Sequence, residues 1–309
     1  MKVLFWGTPD FAVPALRALD EEGHEIVAVV TQPDRPAGRG RPLGISPVKQ
    51  IAVQEDIPVL QPERARGAEF EARIQALSPD VSVVVAYGQI LRPEVLAIPR
   101  WGSINIHASL LPELRGAAPI AWAIIRGYEV TGITIMRMDA GLDSGPILLP
   151  DEVPIRPDES AGGLARRLSV VGADAILDAL SALAAGKLAE TPQDHARATY
   201  APKLDRETAR LRWNLPAEQV ARWIRGLDPL PGGWSTLADG SPLKLFSPMV
   251  EDAFGDPGTV LEADHERGML VAAGVGAVRV HEVQPAGKRR MSAGEWVRGR
   301  GITAGSQLV

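Results

Sequence analysis

No cysteine occurs among the 309 residues, which excludes disulfides and thiolate metal ligands and is compatible with a reducing cytoplasm. Metal-ligand spacing is lacking too. His24, His107, His195, His265 and His281 are scattered and none forms H-E-x-x-H, so no metal is expected. No apolar stretch reaches membrane-spanning length, and the run from Met1 to Gly7 is too short for a signal segment; the expectation is a cytoplasmic protein with no membrane partner. The nucleotide-binding glycine patterns are missing as well. Gly7-Thr8-Pro9-Asp10-Phe11 lacks the second and third glycines of G-x-G-x-x-G, Gly38-Arg39-Gly40 is followed by Gly44 at the wrong spacing, and there is no Walker sequence. An overall basic charge is absent, the net being −5.

What is present is ordinary for a soluble globular chain: 45% hydrophobic and 23% charged residues, with length enough for two domains that each bury a core. The first half alternates strand and helix patterns. Strands are expected at Lys2 to Trp6, Glu25 to Thr31, Ile57 to Leu60, Asp80 to Ala86 and Gly102 to His107. Helices are expected at Asp10 to Glu22, Ser46 to Gln54 and Ala68 to Leu77. That alternation predicts an α/β fold with a doubly wound, mostly parallel, Rossmann-like sheet. A long helix from about Ser160 to Ala185 ends at Gly186, and 187–205 has little periodic apolar pattern. The expected organisation is therefore a domain over 1–186, a linker over 187–205 and a second domain over 206–309. In the last part a helix at Ala217 to Arg225 precedes short apolar stretches separated by Gly, Pro and Asp turns, the pattern of a small β-barrel.

Three polar residues carry the chemistry. Ile104 and Ile106 alternate with Ser103, Asn105 and His107, so a strand there aims Asn105 and His107 to one side. An amide that donates and an imidazole that donates or accepts can cradle an oxygen gaining negative charge in acyl transfer. Asp143, if the fold brings it near, would orient the imidazole and favour its protonated form. Gly141-Leu142-Asp143-Ser144-Gly145 is not the G-x-S-x-G elbow, and neither Ser109 nor Ser144 has an evident base, so direct transfer between two substrates fits better than a covalent intermediate. On spacing alone a second reading stands: a structural histidine after a strand, and an aspartate that forms a turn.

A longer signal decides between them. The runs from Asn105 to Ile120 (NIHASLLPELRGAAPI) and from Thr131 to Gly145 (TGITIMRMDAGLDSG) resemble the core of the folate-dependent formyltransferases. The stretches Gly7 to Phe11 (GTPDF), Thr31 to Gly40 (TQPDRPAGRG) and Gln284 to Met291 (QPAGKRRM) are similar to the branch whose acceptor is methionyl initiator tRNA, and the match spans almost the whole chain. The resemblance implies that Asn105, His107 and Asp143 are catalytic, with the neutral α-amino group of the methionyl ester attacking the formyl carbon of 10-formyltetrahydrofolate to give a tetrahedral oxyanion. It implies folate contacts at Ser109, Leu110, Leu111 and Pro112, at Asp143, and at Tyr87, Gly88, Ile90 and Leu91 around the pterin slot. It also makes the C-terminal domain OB-like and tRNA-binding, and the expected protein a monomer with no metal. Ala108 stands where the family has proline or glycine, a mild departure that leaves the trio intact.

Residues 1 to 205 hold 20 Lys+Arg against 26 Asp+Glu, and 206 to 309 hold 13 against 12, so tRNA binding must rest on local clusters. Three are present: Arg35, Arg39 and Arg41 in one Pro/Gly-rich loop; Lys203, Arg206, Arg210 and Arg212; and Lys288, Arg289 and Arg290. By resemblance Arg39 belongs to a loop that engages the acceptor tRNA. Three alternatives remain open at this level. One is a formyltransferase for an amino sugar or small amine, distinguished by activity without tRNA; another is a formyl-folate hydrolase. The third is a non-catalytic RNA-binding module, distinguished by the lack of folate-dependent heat stabilisation.

Overall fold

The computed structural model describes residues 1–36 and 43–309. Arg39 and Arg41 lie outside the described residues. The chain forms two compact units. One comprises residues 1–119, 130–154 and 165–201; the other comprises 120–129, 155–164 and 202–309. Two excursions that precede residue 186 in sequence are thus grouped with the second unit.

The first unit is built on a seven-stranded sheet. Its strands are β1 (Lys2–Gly7), β2 (Glu25–Val30), β3 (Val59–Leu60), β4 (Val81–Val85), β5 (Ser103–His107), β6 (Val130–Arg137) and β7 (Ile147–Pro154), in the order β7-β6-β5-β4-β1-β2-β3. The pairs among β1 to β5 are parallel, and β6 and β7 are antiparallel to their neighbours. All five residues of β4 are buried, as a central parallel strand requires. Helices α1 (Val13–Glu21) and α3 (Ala68–Leu77) turn Ala15, Leu16 and Leu19, and Ile74, inward. Ile74 joins Leu4, Trp6, Ala28, Val30, Val84 and Tyr87 in one core cluster. Helix α2 (Pro47–Gln54) starts one residue later than the pattern predicts. Ser46 is its cap, accepting from the Lys49 N–H at 3.1 Å, and Pro47 takes the first helical position.

From β1 the chain places β2 and β3 on one side and then β4 on the other. The loops leaving β1 and β4 therefore diverge where Gly7 pairs with Val85, and in such sheets that point opens a crevice beyond the carboxyl ends of the strands. The Thr8 hydroxyl donates to the Tyr87 carbonyl at 3.0 Å across it.

Strands β6 and β7 have no counterpart in the pattern reading. Pro150 and Pro154 argue against a strand, yet β7 is an edge, where a missing N–H forfeits no ladder bond on its free side. The stretch read as a linker is structured through residue 201. Thr191 bridges Ile147, His195–Arg197 forms a 3-10 turn, and Tyr200–Ala201 pairs in parallel with Arg115–Gly116. These contacts are made by backbone and polar side chains, so apolar periodicity carries no trace of them.

In the second unit, β8 (Gly233–Thr236), β9 (Pro242–Glu251), β10 (Val260–Asp264), β11 (Gly268–Ala272) and β12 (Ala277–Pro285) form an antiparallel sheet in the order β8-β9-β12-β11-β10. The short strand β13 (Met291–Ser292) pairs with β12. This is the antiparallel, OB-like architecture expected of the C-terminal part. Helix α4 (Ala217–Gly226) buries Ala217, Val220, Ala221 and Ile224, a stripe at helical spacing. Val220 and Ile224 share a core with Leu243, Leu245, Val271 and Val280.

Candidate active site

Strand β5 sets the first two residues. Asn105 pairs with Val84 on one side and Met136 on the other, and His107 pairs with Thr134. Asn105 is half-buried and, among the described residues, nothing hydrogen-bonds its side-chain amide. His107 is 6% exposed. Its Nε2 lies 3.0 Å from the Leu114 carbonyl oxygen. A carbonyl can only accept, so Nε2 carries a hydrogen and Nδ1 is the nitrogen left for other work. Asp143 Oδ2 stands 3.8 Å from that Nδ1, in ion-pair range but beyond a hydrogen bond.

The structure places His107 Nδ1 and Asp143 Oδ2 3.8 Å apart, with a different anchor for each residue. The ring is aligned by Leu114, and the carboxylate is held by the Gly116 N–H, which donates to Oδ2 at 2.7 Å. The other carboxylate oxygen, Oδ1, has no protein donor among the described residues. Asp143 adopts φ +50°, a left-handed conformation that Asp tolerates better than most side chains.

Between His107 and Gly116 the chain folds back over β6. The Thr134 hydroxyl donates to the Ser109 carbonyl at 2.6 Å and accepts from the Leu111 N–H at 3.1 Å. The Ser109 hydroxyl is spent on the Glu113 carbonyl at 2.6 Å, so it is not available as a nucleophile. Leu111 and Pro112 are buried, and Leu110 packs over Gly132, where an added Cβ would come within 2.6 Å of the Leu110 side chain. At Gly116, φ is +112° and a Cβ would stand 2.8 Å from the Ala201 carbonyl oxygen; only glycine fits there without a shift. Sequence reasoning missed Leu114, Gly116 and Thr134. Backbone groups and a lone threonine carry no pattern of their own.

The other predicted folate positions cluster at the switch point. Ala86 and Gly88 have φ +48° and +92°, flanking buried Tyr87. Ile90 is 88% exposed, whereas Leu91 belongs to the core cluster and is not an open wall. The Tyr87 hydroxyl is buried without a hydrogen-bond partner among the described residues, and burial pushes its ionisation up to about 12. Alkaline absorbance titration should show one of the three tyrosines ionising near that value. Tyr87→Phe should delete the late step without loss of stability, since it removes an unsatisfied buried donor. A variant that keeps the late step, or unfolds more easily, contradicts the burial.

Of the predicted tRNA contacts, Arg35 is exposed in the first unit. Lys203, Arg206, Lys288 and Arg289 are exposed in the second, with the Arg206 guanidinium 5.2 Å from the Trp234 ring centroid. Arg290 is engaged otherwise. It pairs with Asp228 at 2.7 Å and Glu282 at 2.6 Å and lies over Phe246 at 4.0 Å, which leaves Lys288 and Arg289 as the freely available charges of that cluster.

The sequence pattern of the formyl transferase family matches residues 1–180, and that of the formyl transferase C-terminal domain matches 203–301. A protein named methionyl-tRNA formyltransferase from Thiobacillus denitrificans is 50% identical over 312 residues, covering 100% of this chain and 99% of the relative. One of the same name from Geobacter sulfurreducens is 47% identical over 308 residues, covering 100% and 96%. The chain belongs to the methionyl-tRNA formyltransferase family. Solved structures share the fold. HypX from Aquifex aeolicus in complex with tetrahydrofolic acid gives a TM-score of 0.67 at 20% identity, over 96% of this chain and 47% of that one, so this chain spans about half its length. WlaRD, a sugar 3N-formyl transferase, gives 0.67 at 16% identity over 94% and 99%.

Proposed function

We propose that this chain transfers a formyl group from 10-formyltetrahydrofolate to the α-amino group of methionyl initiator tRNA, for translation initiation. The observation that carries the chemical part is the Asn105 amide, without a hydrogen-bond partner among the described residues, on the same strand as His107, whose Nδ1 faces Asp143. Full-length identity with proteins of that name supports the substrates.

The donor supplies an activated formyl carbon when bound. The methionyl amine, in its neutral form, adds to that carbon directly, because the Ser109 and Ser144 hydroxyls are already bonded, to the Glu113 carbonyl and the Asp139 carboxylate. The Asn105 NH2 donates to the oxygen that gains negative charge, and His107 Nδ1–H is the second donor, with the Asp143 carboxylate stabilising the cationic ring. Asp143 Oδ1, free of donors among the described residues, takes through water the proton that the attacking amine sheds and returns it to the folate nitrogen as that nitrogen's bond to the formyl carbon breaks. The donor's ring would lie at the switch point against the loop from Tyr87 to Leu91, where Gly88 and Ile90 stand open, with Ser109 to Pro112 supplying backbone groups. Residues 1–186 carry the chemistry and 206–309 the tRNA, joined by 187–205, most of which is built into the first unit. Arg35, Arg39, Arg41, Lys203, Arg206, Lys288 and Arg289 are the cations offered to the tRNA backbone. The protein works as a monomer in the cytoplasm.

A ligand that binds only the folded state stabilises it by mass action, by about 2.7 kcal/mol at a hundredfold excess over its Kd. Tetrahydrofolate should accordingly raise the unfolding temperature of the chain in proportion to the logarithm of its concentration. No shift up to millimolar folate would contradict the donor assignment.

A further inference from the structure

We infer that Gln193 and Arg115 are positioning residues for Asp143. The inference rests on the reading of Asp143 as the carboxylate that serves the transfer. Gln193 comes from the stretch without periodic pattern, yet it is 6% exposed and both ends of its amide are used. Its nitrogen donates to the carbonyl of Asp143 at 2.9 Å and to that of Gly145 at 2.7 Å. Its oxygen accepts from Arg115 Nε at 3.1 Å and Nη2 at 2.6 Å. Arg115, 4% exposed, also donates from Nη2 to His195 Nδ1 at 3.0 Å. The residue next to Arg115 is Gly116, whose N–H grips the Asp143 carboxylate. The backbone of Asp143 and its side chain are therefore fixed from one two-residue strand, directly through Gly116 and indirectly through Arg115 and Gln193.

Three features separate this arrangement from a stability device. Asp143 is held in the left-handed region, sparsely populated for a residue with a side chain, and the bonds from Gly116 and Gln193 hold it there at both side chain and backbone. Gly145, the other carbonyl that Gln193 holds, follows the backbone of Arg137 so closely that an added Cβ would lie 1.9 Å from its carbonyl oxygen. Arg115, moreover, is a buried guanidinium with no carboxylate within 4 Å among the described residues, at a place where an apolar side chain would cost less desolvation. Its fork reaches the Gln193 amide, which holds the Asp143 and Gly145 carbonyls.

The test is a kinetic cycle of Gln193→Ala, Gln193→Glu and Arg115→Lys, each made in the native chain and in Asp143→Asn, with single-turnover formyl transfer to methionyl initiator tRNA measured in both. Gln193→Glu keeps the acceptor for Arg115 but turns an acceptor toward two carbonyls. Both Gln193 changes should lower the native rate by about 10- to 100-fold with the KM of either substrate within about 3-fold, because misplacement of the group costs turnover rather than affinity. Arg115→Lys retains the charge and an ammonium donor for the Gln193 oxygen while giving up the bidentate fork, and should lose less than the Gln193 changes. In the Asp143→Asn background the same changes should cost less than about 2-fold, since residues that act through one group are not additive. Equal losses in the two backgrounds, losses confined to KM, or no loss would overturn the inference while leaving the proposed function standing. A native chain inactive on methionyl-tRNA, or an Asp143→Asn chain of native rate, would remove the reading on which the inference rests and the inference with it.

Discussion

Asn105→Ala is expected to lower kcat for formyl transfer by about 10²- to 10³-fold, the usual loss when one preorganised donor to a developing negative charge is removed. The same change should alter stability by less than about 0.5 kcal/mol, because the amide is only half-buried and forms no hydrogen bond with the described protein. That separation is the signature of a group kept free for a substrate. A structural asparagine would show the reverse, a fall in unfolding temperature with turnover preserved. His107→Ala should lose at least as much turnover; it also leaves the Leu114 carbonyl without its donor, so some stability is lost with it. Rates near the native one for Asn105→Ala would place the oxyanion contact elsewhere.

The second large effect is on stability. Arg279 of β12 is 1% exposed and bonds Glu251 through Nε at 2.5 Å and Nη2 at 2.9 Å, and Glu262 through Nη2 at 2.7 Å. Arg279→Leu would replace the buried partner of Glu251 and Glu262 by an apolar side chain and leave them the exposed Arg267, at 3.5 and 3.3 Å, and should cost about 2 kcal/mol in the second unit, read by denaturant unfolding. Adding Glu251→Gln and Glu262→Gln should recover most of it, since the cost lies in the stranded charges. Acid should also erase the difference. The hydrogen bond from Arg279 holds Glu251 below the ordinary carboxylate range. Its contribution is therefore fully present above that range and is lost as pH falls through the depressed value. Native and Arg279→Leu chains should converge in stability there. A constant gap down to strong acid, or an unchanged triple variant, would contradict the ion-pair account.

The legible parts of this fold were those with an apolar period. The strands of the parallel sheet and helices such as Ala68–Leu77 emerge from alternation and helical spacing, and Asn105 and His107 stand out because they interrupt an isoleucine alternation. Polar and backbone-mediated structure was not legible. β7 hides behind Pro150 and Pro154, and Gln193 sits in a stretch that reads as linker although both ends of its amide are bonded. Among basic clusters, composition could not separate the exposed Lys288 and Arg289 from Arg290, which two carboxylates and a phenyl ring engage. Spacing placed Asp143 near no other residue. Only the folded register of Gly116 against Ala201, and the N–H that Gly116 turns toward the carboxylate, explain why it ends 3.8 Å from the imidazole.

The most direct measurement is formyl transfer from 10-formyltetrahydrofolate to methionyl initiator tRNA, run beside uncharged tRNA and a small amine. The geometry and the family predict a formylated product with the charged tRNA alone. Folate consumption independent of tRNA, or formylation of the small amine at a comparable rate, would contradict the account.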